Sequence, residues 1–253
     1  MRRKLAAGNW KMHGTGADLA EIATLARTHA DPACEVLICP PATLIERAAR
    51  EVRGSALMIG AQDCHSAPEG AHTGDISPAM IRDAGAGHVI LGHSERRQDH
   101  AETSALVRAK AMAALDAGLV TIICLGETLP DRESGATLDI IGQQLAGSTP
   151  DAARGENTVI AYEPVWAIGS GHVAHPDQIA EVHGFLRERL THRFGTGVAA
   201  MIRLLYGGSV KPANAAGIFA IPDVDGALVG GASLRAESFS PIISALEQAA
   251  AGI

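Results

Sequence analysis

TVIAYE, residues 158–163, is apolar without interruption until its last position and does not alternate with polar residues. A strand with that pattern is covered on both faces, as parallel strands wrapped by helices are. Seven more runs of the same kind flank it. Upstream are LAAGNW (5–10), EVLICP (35–40), LMIGAQ (57–62), HVILGH (88–93) and VTIICLG (120–126); downstream are RLLYGG (203–208) and DGALVGG (225–231). Their starts are separated by the length of a strand, a helix and two loops. Eight such units in 253 residues predict an α/β chain folded as one (β/α)8-barrel domain over 1–253. A doubly wound open sheet is the other reading of strand–helix alternation. The count of eight, and a first run not followed by GxGxxG, favour the barrel.

Composition agrees. The chain is 47% hydrophobic but only 3% aromatic, so the core is expected to be Ala, Val, Ile and Leu. Helix ends are legible between the runs. Ser77-Pro78 and Ser240-Pro241 read as N-cap followed by proline at the first helical position, and His175-Pro176 and Lys211-Pro212 place proline similarly. Helices over about 103–117 and 177–193 are predicted to stop at Gly118 and near Gly195.

The formal charge of −7 argues against a nucleic-acid or membrane-surface partner, although a local positive site could still hold an anion. The cysteines at 34, 39, 64 and 124 show no CxxC spacing, and Cys34 and Cys39 fall near the two ends of one strand. With no apolar run of signal or membrane-span length, they predict a reducing cytoplasm. The eleven histidines are scattered, without HxxxH or HExxH spacing, so no metal site is expected.

Almost every apolar run leads into polar residues or a glycine pair: Asn9 and Lys11 after the first, Gln62 after the third, His93 and Glu95 after the fourth. Cys124 and Glu127 follow on the fifth, Glu163 on the sixth, Ser209 on the seventh and Gly230-Gly231 on the eighth. In a parallel barrel these ends share one face, the face on which active sites of this fold are built. His93 precedes a short predicted helix, whose N-terminus disfavours a positive charge and predicts a neutral imidazole. Glycine pairs after the seventh and eighth runs suit close backbone approach to an anion.

The blocks GNWKM (8–12), AQD (61–63), LGHSERR (91–97), CLGE (124–127), AYEPVWAIGSG (161–171), YGGSVKP (206–212) and LVGGASL (228–234) resemble the triosephosphate isomerase family. They stand in that family's order and spacing, over essentially the whole chain. The resemblance implies interconversion of dihydroxyacetone phosphate and glyceraldehyde 3-phosphate through an enediolate, in glycolysis and gluconeogenesis, with no cofactor. It implies Glu163 as the base, His93 as the electrophile and Lys11 as the cation at the substrate. Asn9 would donate to the oxyanion, and backbone at Gly169, Ser209, Gly230 and Gly231 would clamp the phosphate. Glu95 would hold Lys11, with a surface pair to Arg97 as the plainer reading, and Cys124 would pack beside the base. The run 164–171 reads as a lid that excludes water.

The loop from His65 to Ser77 is rich in Gly, Pro and His. By resemblance it inserts into a second subunit, with Thr73 near the neighbour's site, which predicts a homodimer. His13, His72, Asp75 and His172 depart from the family's usual residues, three of them at or near that contact. Two other readings remain open at this point: an isomerase of a four-carbon keto-sugar phosphate, and a catalytically inactive barrel used for binding.

Overall fold

The computed structural model describes residues 2–168 and 173–252. Eight strands, β1 (Leu5–Asn9), β2 (Glu35–Cys39), β3 (Leu57–Ala61), β4 (His88–Leu91), β5 (Val120–Leu125), β6 (Thr158–Tyr162), β7 (Arg203–Tyr206) and β8 (Gly226–Val229), pair in sequence order and close into a barrel. Every pairing is parallel, and β8 returns to β1 with Gly226 opposite Leu5. The expected (β/α)8 architecture is therefore present, each strand slightly shorter than its apolar run.

The continuous patterns have the anticipated cause. Strand residues divide between two apolar clusters. Leu5, Ala7, Leu37, Ile90, Ile122, Val159, Leu205 and Leu228 belong to one inside the barrel. Their neighbours Ala6, Val36, Val89, Ile123, Ile160 and Leu204 join the larger cluster shared with the helices. Small apolar side chains fill the barrel, and the few large rings, such as Trp10, Tyr162 and Tyr206, are fully buried at its end.

Five predicted helix ends hold. Ser77 caps Pro78–Asp83 by accepting from Met80 N at 3.4 Å. Proline opens Pro176–Ala199 and Pro212–Phe219, and Ser104–Asp116 gives way at Gly118, where φ is 75°. At Gly195, φ 78° and ψ 159° are not helical, so the first helix stops there as expected and a second, short helix runs on to Ala199. One end differs. Ser240-Pro241 does not start a helix: Ala236–Ala251 begins earlier and contains Pro241. The reason is a cap from outside the helix, because Glu21 accepts the Ala236 N–H at 2.8 Å. The four cysteines are buried and unpaired. Among the described residues, no helix is long and apolar enough to cross a membrane.

Candidate active site

The C-terminal ends of the strands surround a cavity of about 380 Å³ lined by Asn9, Lys11, His93, Glu163, Ser209, Gly230 and Gly231, among others. Residues dispersed over more than two hundred positions of sequence thus meet because eight parallel strands deliver their ends to one face.

Glu163 follows β6, its N–H donating to Leu125 O at 2.7 Å. Its side chain is buried (2% exposed) yet contacts two polar groups: Oε1 lies 2.8 Å from His93 Nε2, and Oε2 accepts from Ser94 N at 3.0 Å. Burial alone would push this carboxyl up. His93, the Ser94 N–H and Lys11 together outweigh it, so the group is held below its ordinary value and rests ionised. Gly207 makes the placement possible, since a Cβ there would come within 2.8 Å of Glu163 Cγ.

His93 caps the short helix Ser94–Asp99, and its Nδ1 accepts from Glu95 N at 3.2 Å. An Nδ1 that accepts carries no proton, so Nε2–H is the donor that faces Glu163. The neutral ring expected from the helix terminus is opposed here. Burial pushes His93 down, but the Glu163 carboxylate and Glu95 draw it upward overall against Lys11. The raised proton affinity comes mainly from one contact and persists only while Glu163 stays beside the ring.

Lys11 Nζ lies 2.5 Å from Glu95 Oε1, the pair the sequence led us to expect. The alternative Glu95–Arg97 pair is absent, because Arg97 bonds to Gly92 O, Ser104 Oγ, Cys124 O and Ser148 Oγ. Lys11 has φ 53°, a conformation disfavoured for L side chains. It is held there by Asn9 Oδ1, which accepts its N–H at 3.0 Å, and by Gln62 Nε2, which donates to its carbonyl at 2.8 Å. That arrangement leaves the Asn9 amide NH2 as the group available to a ligand.

Ser209 and Gly230 border the cavity half-buried, and Gly231 opens a single turn, Gly231–Ser233, pinned by Ser233 Oγ donating to Gly230 O at 2.7 Å. Backbone N–H groups at such a turn favour an anion. Gly169, with Ser170, Gly171 and His172, lies outside the described residues, so the far part of the lid does too. Its near part is well anchored: Val165 N donates to Glu127 O at 3.1 Å, and Trp166 Nε1 donates to Glu127 Oε1 at 2.9 Å. Cys124 is fully buried beside Glu163, and burial pushes its thiol well up.

Sequence reasoning gave no role to Glu127, Gln62 or the Ser94 N–H. Glu127 and Gln62 could be seen only as polar residues ending strands; their partners 39 and 51 residues away could not. Thr73 is exposed on the 65–77 loop and does not line the cavity. The histidines, expected to be scattered, converge once among the described residues: His65, His72 and Asp75 bring potential ligand atoms within 4.8 Å of one another. However, His65 Nδ1 accepts from Ala67 N at 2.9 Å. Its Nε2 then carries the proton, the reverse of what a metal-binding imidazole needs.

A closed parallel barrel with an ionised buried carboxylate, an imidazole, a lysine and two glycine-rich turns around one cavity defines a (β/α)8-barrel isomerase. Comparison with known proteins makes the class specific. The family model described as triosephosphate isomerase matches residues 4–246, and the chain belongs to the triosephosphate isomerase family. It is 64% identical to the triosephosphate isomerase of Ruegeria pomeroyi over 99% of this chain and all of that one. It is 61% identical to that of Dinoroseobacter shibae over 97% of this chain and all of the other. The crystal structure of triosephosphate isomerase from Bartonella henselae superposes with a TM-score of 0.91 at 49% identity, covering 96% of this chain and 98% of that one.

Proposed function

We propose that the chain interconverts dihydroxyacetone phosphate and D-glyceraldehyde 3-phosphate, serving glycolysis and gluconeogenesis in the cytoplasm as a homodimer. The observation that carries the reading is the pairing of an ionised, buried Glu163 with His93 Nε2–H at 2.8 Å. A carboxylate has two oxygens and can take a proton from one carbon and return it to the adjacent one. The imidazole N–H and Lys11 stabilise charge on the two substrate oxygens as the enediolate forms, with the Asn9 amide as a further donor. Glu95 positions Lys11. Backbone at Ser209, Gly230 and Gly231, together with Gly169, holds the phosphate, and the 164–171 run closes over it to exclude water.

Once substrate separates Glu163 from His93, the upward pull on the ring is relieved. Burial and the helix N-terminus then leave a neutral imidazole, which donates without giving up its proton. Thr73 belongs to the dimer reading: it is exposed on a single chain, and the family resemblance would set it near the neighbouring subunit's site.

The test is a coupled assay of the wild-type protein on three- and four-carbon keto-sugar phosphates, with sedimentation at assay concentration. Higher kcat/KM on dihydroxyacetone phosphate by a species of twice the chain mass is expected. Preference for the four-carbon compound overturns the substrate, and an active monomer overturns the dimer.

A further inference from the structure

Three charged side chains line the cavity besides the histidines: Lys11, Glu163 and Lys211. Lys11 is already matched, its Nζ 2.5 Å from Glu95. The Lys11–Glu95 pair is neutral as a unit, so Glu163 leaves the inner site negative, inside a chain of formal charge −7. A phosphate ester carries close to two negative charges near neutrality. Approaching such a site, it meets repulsion before it comes within hydrogen-bonding distance of any backbone amide. Short-range donors cannot overcome that alone.

Lys211 is differently placed. It is exposed, lines the cavity next to Ser209 and Val210, and takes part in no ion pair among the described residues. Its stem is fixed. Val210 is buried, Asn214 Oδ1 accepts the Lys211 N–H at 2.8 Å, and Asn214 Nδ2 donates to Ser209 O at 3.0 Å. Asn214 thus clasps in one turn both Ser209 and the only lining cation without a carboxylate partner among the described residues.

We propose that Lys211 captures the dianionic end of the substrate at the cavity mouth and delivers it to Ser209, Gly230 and Gly231, setting the rate of association and not the chemistry. This rests on the reading of those three residues as the phosphate end of the site. An unmatched rim charge acts over about 10 Å at 0.1 M salt and less as salt rises. It raises encounter rates in proportion to ligand charge.

The test measures kcat and KM against ionic strength for wild type, Lys211→Gln and Lys211→Arg, using D-glyceraldehyde 3-phosphate and unphosphorylated D-glyceraldehyde. At low ionic strength Lys211→Gln is expected to lose about three- to tenfold in kcat/KM on the phosphate ester, mainly through KM, with the gap closing at high salt. Lys211→Arg should restore both the value and the salt slope, and the uncharged aldehyde should show no gap. A wild-type salt slope in Lys211→Gln, or a kcat loss that arginine does not rescue, overturns the proposal while leaving the site reading intact. An inactive wild type on the triose phosphate overturns the site reading itself.

Discussion

The two ends of β4 carry two buried histidines with opposite fates. His88 starts the strand at the N-terminal face of the barrel, where burial and the neighbouring Arg203 push it down to about 4, against Glu35, and its Nδ1 has no partner. His93 follows the strand at the C-terminal face, and its carboxylate neighbour draws it up despite equal burial. The surroundings differ in the same sense. At the N-terminal face, charges close on one another: Arg2 and Arg187 each bond both Asp223 and Asp225, and Arg203 pairs with Glu35. Asp225 also accepts Leu204 N at 2.9 Å. At the C-terminal face, Glu163 and His93 touch each other at the edge of a cavity that a ligand can enter. One barrel therefore uses buried charge in two ways. In one, every partner of the charge is another fixed protein group; in the other, the charged pair borders a cavity and a partner can be exchanged for a ligand.

Three substitutions try to break that division. Glu163→Gln should lower kcat by about a thousandfold while the urea midpoint stays near wild type. A comparable loss of stability would mean that the C-terminal face is also structural. Arg187→Met should do the reverse, costing about 3 kcal/mol in urea unfolding by leaving Asp223 and Asp225 short of a partner, with turnover per folded molecule retained. If kcat falls instead, the two faces are coupled.

The third is smaller and concerns pH. His88, like the fully buried His183, is held neutral with its value lowered to about 4. A lowered folded-state value stabilises above the unfolded-state value near 6.5 and loses that contribution as pH falls toward 4. His88→Gln should therefore flatten the acid side of the stability profile by about 2 kcal/mol between roughly pH 6.5 and 5. An unchanged slope would show that water reaches the ring. Glu163, whose value is also lowered, should put the acid limb of kcat/KM below the ordinary carboxylate range in the same titration.

The sequence carried the barrel well because burial on both strand faces leaves uninterrupted apolar runs, and because nearly every run ends on a polar residue or a glycine pair at the functional face. It carried the Lys11–Glu95 pair through resemblance, and the structure shows the contact. It could not carry the N-terminal lattice: Arg2 and Asp225 are 223 positions apart and look like ordinary surface charge in the chain. Nor could it show that Glu21 starts the last helix from outside, because the proline-serine signal at 240–241 was locally stronger. The upward pull on His93 was invisible for the same reason. A helix N-terminus is a local feature, whereas the opposing carboxylate comes from a strand two units away.

Lys11 at φ 53° has a consequence for anyone engineering this protein. A non-glycine residue in that region costs on the order of 1 kcal/mol, so Lys11→Gly removes a standing penalty. A library ranked by melting temperature or soluble yield would enrich that substitution. It would deliver well-folded molecules that have lost a cation lining the cavity. At position 11, ranking by turnover and ranking by robustness select different residues.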